Sequence, residues 1–74
     1  MSTRFEVIRK QLLATSDQYR RLQADHSLYG KKIEHLASKG FLNEEERVKE
    51  KTLKKLKLHA KDQMQNLEQE KMGN

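Results

Sequence analysis

The chain has no cysteine and no proline, and only three of its 74 residues are glycine. Without cysteine, neither a disulfide framework nor a thiolate metal site can support the fold, so packing or oligomerisation must supply the stability. Without proline, the strongest helix-breaking residue is missing. These absences favour a protein built almost entirely from α-helices.

Large apolar side chains are also scarce. The chain contains two Phe, two Tyr and no Trp, and 34% of its residues are hydrophobic whereas 36% are charged. Such a small stock of apolar groups cannot both hold the fold together and enclose a deep pocket. We therefore expect no preformed substrate cavity and no enzymatic activity.

The sequence lacks the motifs of catalysis and metal binding. His26, His35 and His59 do not have the H-E-x-x-H spacing of a helical zinc site. The serines have no glycine-elbow context, and no glycine-rich loop is available to cradle a phosphate. The sequence thus predicts no catalytic residue, no metal site and no cofactor.

Long apolar runs are absent as well. The longest, Leu12-Leu13-Ala14, is far shorter than a membrane span. Arg4, Glu6 and Arg9 lie among the apolar residues at the N-terminus, which a signal peptide would not tolerate. We therefore expect a cytoplasmic protein.

The residues that are present form amphipathic patterns. Between Phe5 and Leu36, the positions three or four residues apart form one series, and most of the residues in this series are large and apolar. An average spacing of about 3.5 residues predicts a long helix whose one face packs against another helix. The stripe consists of Phe5, Ile8, Leu12, Thr15, Tyr19, Leu22, His26, Tyr29, Ile33 and Leu36.

The segment Thr15-Ser16-Asp17-Gln18 interrupts this first arm with a helix-start pattern. Thr15 can cap the backbone N–H groups that follow it, and Gln18 can reach back to the capping residue. Two alternatives remain open: one continuous helix, or a short helix and a long helix split near residues 14–16.

The segment from Ser38 to Glu46 predicts a turn. Gly40 can adopt the left-handed conformation that ends a helix, and Asn43 can cap the next one with Glu46 at the capping-box position. A connection this short makes the flanking helices antiparallel neighbours. The expected fold is an all-α antiparallel helical hairpin with coiled-coil packing, a single domain over residues 1–74. It has one or two helices over about 3–39, a turn at 40–43 and a helix over about 44–72.

The second helix carries its own apolar stripe. The predicted inward residues are Leu53, Leu56, Ala60, Met64 and Leu67, whereas Val48, Leu58 and Met72 fall off this face. A single hairpin buries each stripe on one side only, so a homodimer is a natural way to complete the core. Gly30 is unexplained by the sequence, because glycine inside a helix costs about 1 kcal/mol relative to alanine.

The positive charge is concentrated in the second helix. Residues 47–61 include seven basic side chains and one acidic one, in a chain of net charge +5. This face is either a solvated lysine surface or a docking surface for phosphates, acidic lipid or an acidic partner. The candidate partner-binding residues are Arg47, Lys51, Lys54, Lys55, Leu58 and Lys61, with Leu13 and Leu28 on the outer side of the first helix.

These features predict a non-enzymatic interaction module that self-associates and binds a partner protein. The alternative is an accessory binder of nucleic acid or of another anionic surface through the basic stripe. No aromatic side chain is interleaved for base stacking and no arginine pair is placed to read base edges. Binding to nucleic acid would therefore be weak, salt-sensitive and independent of base sequence.

The segment from Leu53 to Met64, LKKLKLHAKDQM, follows a first arm that carries His26 and Ile33 and a short loop. In this order of features the chain resembles the small bacterial YdcH-like proteins, a family of unknown function with a run like L-K-K-x-K-L-x-L-K-D-E-I/M. The resemblance covers roughly residues 5–70. Ala60 stands where the family usually has a larger aliphatic residue, and Gln63 where it often has Glu. The resemblance implies a helical hairpin with coiled-coil character and no known activity.

Overall fold

The computed structural model describes residues 3–73 and contains three α-helices. Helix α1 spans Arg4–Thr15, α2 spans Asp17–Ala37 and α3 spans Glu44–Gly73. Helices α2 and α3 pack antiparallel as a hairpin, and the molecule measures 47 × 23 × 17 Å. The predicted all-α hairpin is confirmed, and the first arm is split. Met1, Ser2 and Asn74, which the predicted domain includes, lie outside the described residues.

The break between α1 and α2 lies at Ser16, whose backbone is extended with φ −115° and ψ 112°. The Ser16 hydroxyl accepts a hydrogen bond from the backbone N–H of Tyr19 at 3.1 Å. The hydroxyl of Thr15 instead donates to the carbonyl oxygen of Gln11 at 2.7 Å. The predicted capping role of Thr15 is therefore wrong by one residue. Thr15 is still helical, whereas a capping residue must have left the helix.

The turn between α2 and α3 uses the residues that the sequence predicts. Gly40 has a φ of 73°, in the left-handed region. Asn43 and Glu46 form a reciprocal capping box: the Asn43 side chain accepts from the Glu46 N–H at 2.8 Å, and the Glu46 carboxylate accepts from the Asn43 N–H at 3.2 Å. The Lys39 ammonium also donates to this carboxylate and, with the Asn43 N–H, lowers the pKa of Glu46.

The hydrophobic core includes a cluster of buried side chains where α1 packs against α2 and α3. Ile8, Leu12 and Tyr19 are buried together, and Leu13, Met64, Leu67 and Met72 pack against them. Leu13 was predicted to face outward and Met72 to lie off the apolar face, so both predictions are wrong. The predicted stripe residues Ile8 and Leu12 are buried, whereas Phe5 of the same stripe is 47% exposed, and Leu13 also reaches the cluster where α1 meets the end of α3.

One inward position of α3 differs from the predicted stripe. Leu56 is 40% exposed, whereas Lys57 is half-buried. A Cβ added at Gly30 would lie 3.7 Å from Cε and 3.6 Å from Nζ of Lys57. The end of the Lys57 side chain, including its ammonium group, therefore lies beside α2 at Gly30, which has no side chain. The predicted inward position of Leu56 is wrong, because the inward face of α3 runs through Leu53, Lys57 and Ala60.

Replacing Gly30 with alanine is expected to raise the free energy of unfolding by about 0.5–1 kcal/mol. The added methyl group meets only the flexible end of Lys57 at ordinary contact distance. In a domain of this size, about 1 kcal/mol corresponds to a rise of roughly 4–8 °C in Tm. Thermal unfolding monitored by circular dichroism measures this change in Tm.

Gly40→Ala is the matched control. Nothing lies within 4 Å of an added Cβ, but the positive φ of Gly40 strains any L side chain, so this variant should lose about 1–2 kcal/mol. A destabilised Gly30→Ala protein would contradict the contact described between Gly30 and Lys57.

Candidate partner-binding groove between α2 and α3

A groove with a volume of about 580 Å³ runs between α2 and α3. We call it the central groove. Two of its residues, Ile33 and Met64, are half-buried apolar side chains, and Leu58 is 58% exposed. The full lining consists of Arg9, His26, Ile33, Lys54, Lys57, Leu58, Lys61, Met64, Gln65 and Glu68. Ile33, Leu58 and Met64 thus form an apolar strip in the groove, and most of the other lining residues belong to α3.

The structure divides the predicted partner-binding residues into two groups. Lys54, Leu58 and Lys61 line the central groove, whereas Arg47, Lys51 and Lys55 are exposed on α3 outside its lining. The lining residues recur at intervals of three and four, which places them on one flank of α3. Lys57 also lines the central groove but is not among the residues predicted from the sequence. Its position opposite Gly30 depends on the register in which α2 and α3 pair, which local sequence spacing does not show.

The electrostatic character of the central groove is basic. Lys54, Lys57 and Lys61 border it along α3. The Lys54 ammonium lies 3.4 Å from a carboxylate oxygen of Glu50, one turn earlier on the same helix. Among the lining residues, the one carboxylate is that of Glu68. An approaching ligand therefore meets apolar side chains beside the ammonium groups of these three lysines.

Glu68 is the most unusual residue of this site, because it is a carboxylate with only 4% exposure. Its Oε1 accepts a hydrogen bond from Nε of Arg9 at 3.3 Å, and its Oε2 accepts one from the hydroxyl of Tyr19 at 3.2 Å. Arg9 lies on α1, Tyr19 on α2 and Glu68 on α3. We call this three-helix contact the Glu68 junction. A buried carboxylate is tolerated because both of its oxygens have donors.

The Glu68 junction was not predictable from the sequence. The burial of Tyr19 agrees with its position in the predicted stripe, but Glu68 directly follows the stripe residue Leu67 and looks like a solvated charge. Its burial depends on the position of α1, which covers this end of α3. Local periodicity does not indicate that Glu68 is buried, because the donor Arg9 is 59 positions away in the sequence.

Burial of the Tyr19 ring is the largest cause that raises the pKa of its hydroxyl above the ordinary value of 10.0, followed by the charge of Glu68 and the hydrogen bond to it. The folded state thus favours the neutral phenol. Stability from this group is fully present below about pH 10 and is lost as the pH rises through the folded-state pKa. We expect the free energy of unfolding to fall with pH above about 10.

Urea denaturation at a series of alkaline pH values measures this dependence, and tyrosinate ultraviolet absorbance reports the ionisation itself. Tyr19→Phe removes the ionisable hydroxyl and should flatten the alkaline slope. Tyr29→Phe, on the same helix but outside the Glu68 junction, is the matched control. Equal slopes for wild type and Tyr19→Phe would exclude Tyr19 as the origin.

The three histidines lie on separate surfaces. His26 is half-buried in the central groove, His35 lines a smaller cleft, and an imidazole nitrogen of His59 lies 2.9 Å from the side-chain amide nitrogen of Gln63. Within residues 3–73, no cluster of three or more His, Cys, Asp or Glu side chains is arranged to hold a metal ion. In the same range, no helix has the length and apolar character needed to cross a bilayer.

No match to this chain is found among protein-family models, curated proteins or solved structures. The helical hairpin that the YdcH-like resemblance implies is present in the structure. Membership of that family stays a prediction that rests on the lysine-rich segment from Leu53 to Met64. A functional conclusion must therefore come from the chemistry of the groove.

Proposed function

We propose that this protein is a non-enzymatic interaction module that binds an acidic amphipathic helix of a partner protein in the central groove. The observation that supports the proposal is the combination of Ile33, Leu58 and Met64 with a border of lysines in one groove. An amphipathic helix docks into such grooves through apolar residues spaced three and four apart. Acidic residues on its flanks would meet the lysines.

The exposure of Leu58 supports this assignment. Leu58 is 58% exposed and lies beside lysines. When a partner covers it, burial of its apolar surface favours binding by about 25 cal/mol per Å². The lysine stems beside it add apolar contact, and their ammonium groups select the sign of the partner's charge. Apolar burial and charge complementarity therefore both favour the same partner, an acidic amphipathic helix.

The dimensions of the site also fit a helix. The lining residues of α3 extend from Lys54 to Glu68, which corresponds to about 21 Å at about 1.5 Å per residue. A partner helix of about four turns would contact the whole length at about 5.4 Å per turn. The groove is open at the surface, so a partner helix can approach it from solvent.

Charge argues against a second copy of the chain as the occupant of the central groove. A twofold dimer apposes the same surface of both subunits. Lys54, Lys57 and Lys61 would then face the same lysines of the other copy, in a protein of net charge +5. Self-association stays a prediction, and a dimer would use another surface, such as the exposed apolar Phe5 and Val7 of α1. Sedimentation over a concentration series tests it.

The test of the groove uses two synthetic helical peptides. Both carry leucines at helical spacing, one with flanking glutamates and the other with glutamines at the same positions. Fluorescence anisotropy measures binding of each to the full chain. We expect the acidic peptide to bind at least about tenfold more tightly, because only it complements the lysine border.

Leu58→Glu introduces a negative charge into the apolar strip and should weaken binding of the acidic peptide by at least about tenfold. Lys51→Gln makes the same net change of one charge unit on exposed α3 outside the groove and is the matched control. Equal binding by wild type and Leu58→Glu would refute the proposal. A labelled DNA duplex at two salt concentrations tests the alternative: tight binding with a steep salt dependence would favour a nucleic-acid binder.

A further inference from the structure

A single non-helical residue, Ser16, separates α1 from α2. The Ser16 N–H still donates to the carbonyl oxygen of Leu12 at 2.8 Å, and the Ser16 carbonyl oxygen accepts from the N–H of Arg20 at 3.2 Å. Both hydrogen bonds join residues four positions apart, as in an α-helix. We infer that Ser16 is a hinge through which two copies of this chain exchange α1, so that α1 of each copy packs on the hairpin of the other.

The apolar stripe of the first arm continues through this hinge without a change of spacing. On both sides of Ser16, the intervals between stripe residues alternate between four and three positions. Such a spacing places the side chains on one face only if the helix is continuous. Residues 13–19 contain neither glycine nor proline, so a continuous helix is permitted there. The stripe residues concerned are Ile8, Leu12, Thr15, Tyr19 and Leu22.

A continuous first arm would carry α1 past the end of its own hairpin. The Tyr19 hydroxyl donates to the Glu68 carboxylate, so these two residues lie at about the same level of the hairpin. Helix α3 ends at Gly73, roughly 8 Å beyond Glu68 at a rise of 1.5 Å per residue. In a continuous helix, Ile8 would lie roughly 17 Å beyond Tyr19. Ile8 would then have no part of its own α3 to pack against.

A second copy of the chain has the surfaces that a continuous first arm leaves uncovered. Ile8 and Leu12 of α1 are each 7% exposed in the structure, and Tyr19 at the end of the hairpin is 2% exposed. Exposure of these side chains to water is unfavourable, so each copy would bind α1 of the other. Exchange of an identical element is a low-cost route to a twofold dimer, because the contacts of the single copy are reused. The ion pair between Arg9 and Glu68, at 3.3 Å, would then join the two copies.

The exchange leaves the lysines of the central groove outside the shared surfaces. The copies would share the cluster around Ile8, Leu12 and Tyr19 and the pair of Arg9 with Glu68. The groove lysines of α3 belong to neither set, so like charges need not meet. Exchange of α1 does not depend on the binding of a partner helix. A monomer that binds the acidic peptide would contradict only the exchange, and a dimer that does not bind it would contradict only the proposed function.

Two complementary charge variants test the exchange in the full chain. Arg9→Glu alone brings two carboxylates together at the Glu68 junction, and Glu68→Arg alone brings two guanidinium groups together, so each variant should dimerise less than wild type. In an equal mixture each α1 meets the opposite charge on the other copy. We expect the heterodimer to exceed either homodimer at least about tenfold. Native mass spectrometry separates the three species by mass, and a heterodimer at only the statistical proportion would overturn the exchange.

Variants of the hinge give a test that does not require Glu68→Arg to fold. The Ser16 hydroxyl accepts from the Tyr19 N–H at 3.1 Å and so stabilises the bend. Ser16→Ala removes this cap at both hinges of a dimer and should lower the dimer dissociation constant at least about tenfold. Ser16→Asp keeps a capping oxygen and is the matched control. Sedimentation velocity over a concentration series measures both variants. Equal dissociation constants, or a Ser16→Ala protein that stays monomeric throughout, would overturn the exchange.

Discussion

Replacing Tyr19 with alanine is expected to lower the free energy of unfolding by about 3–5 kcal/mol, the range found for loss of large buried aromatic side chains. Tyr19 is 2% exposed and packs with Ile8 and Leu12 under α1. The substitution removes this packing and also one donor to the buried Glu68 carboxylate. Domains are stable by about 5–15 kcal/mol, so the variant should lose a large part of its stability. Urea denaturation followed by circular dichroism measures the loss.

Tyr19→Phe separates the two contributions. It keeps the ring and removes only the hydroxyl, and we expect a loss of about 1.5–3 kcal/mol because the hydrogen bond goes to a charged group. Tyr29→Phe, outside the Glu68 junction, controls for loss of a tyrosine hydroxyl on α2. If Tyr19→Phe were as stable as wild type, the hydrogen bond to Glu68 would contribute nothing to folding.

Leu53→Ala is expected to cost about 2–5 kcal/mol, because this leucine is 7% exposed and its truncation leaves a cavity between α2 and α3. Leu58→Ala, five positions later on the same helix, should change stability by no more than about 0.5 kcal/mol. Chemical denaturation of the two variants side by side measures the difference.

The two leucines should show the opposite order in the peptide-binding test. Leu58 lines the central groove and Leu53 does not, so Leu58→Ala should weaken peptide binding while leaving the fold intact. A large stability loss for Leu58→Ala would contradict the description of Leu58 as a surface residue. It would also remove the main support for the groove as a binding site.

The Glu68 junction links folding to the proposed binding site. Glu68 and Arg9 line one end of the central groove, and they are part of the contact that attaches α1 to the hairpin. A partner helix in the groove would therefore end against α1. Weakening of the junction at high pH, where Tyr19 ionises, should loosen this end of the groove before the turn around Gly40 is affected.

The elements governed by local chemistry were predictable from the sequence. Gly40, Asn43 and Glu46 are within seven positions, and glycine conformation and side-chain capping act over that distance. The all-α hairpin follows from this turn and from the stripes on either side of it. Part of the candidate site followed in the same way, because Lys54, Leu58 and Lys61 share one flank of any helix that contains them.

Other features depend on where the helices meet. Lys57 takes the inward position that the predicted stripe gives to Leu56, and the end of its side chain lies beside Gly30 of α2. The smaller cleft that His35 lines joins Lys49 of α3 to residues of α2 by the same helix pairing. Such contacts depend on the register of two helices, which local spacing leaves open.

The position of α1 shows the difference most clearly. Helix patterns act through residues three or four apart, so they predict a helical first arm and allow a split near residues 14–16 as one of two alternatives. They do not predict which end of the hairpin α1 covers. That is a matter of packing between Ile8, Leu12 and the end of α3, and it alone makes Glu68 a buried carboxylate with donors from α1 and α2.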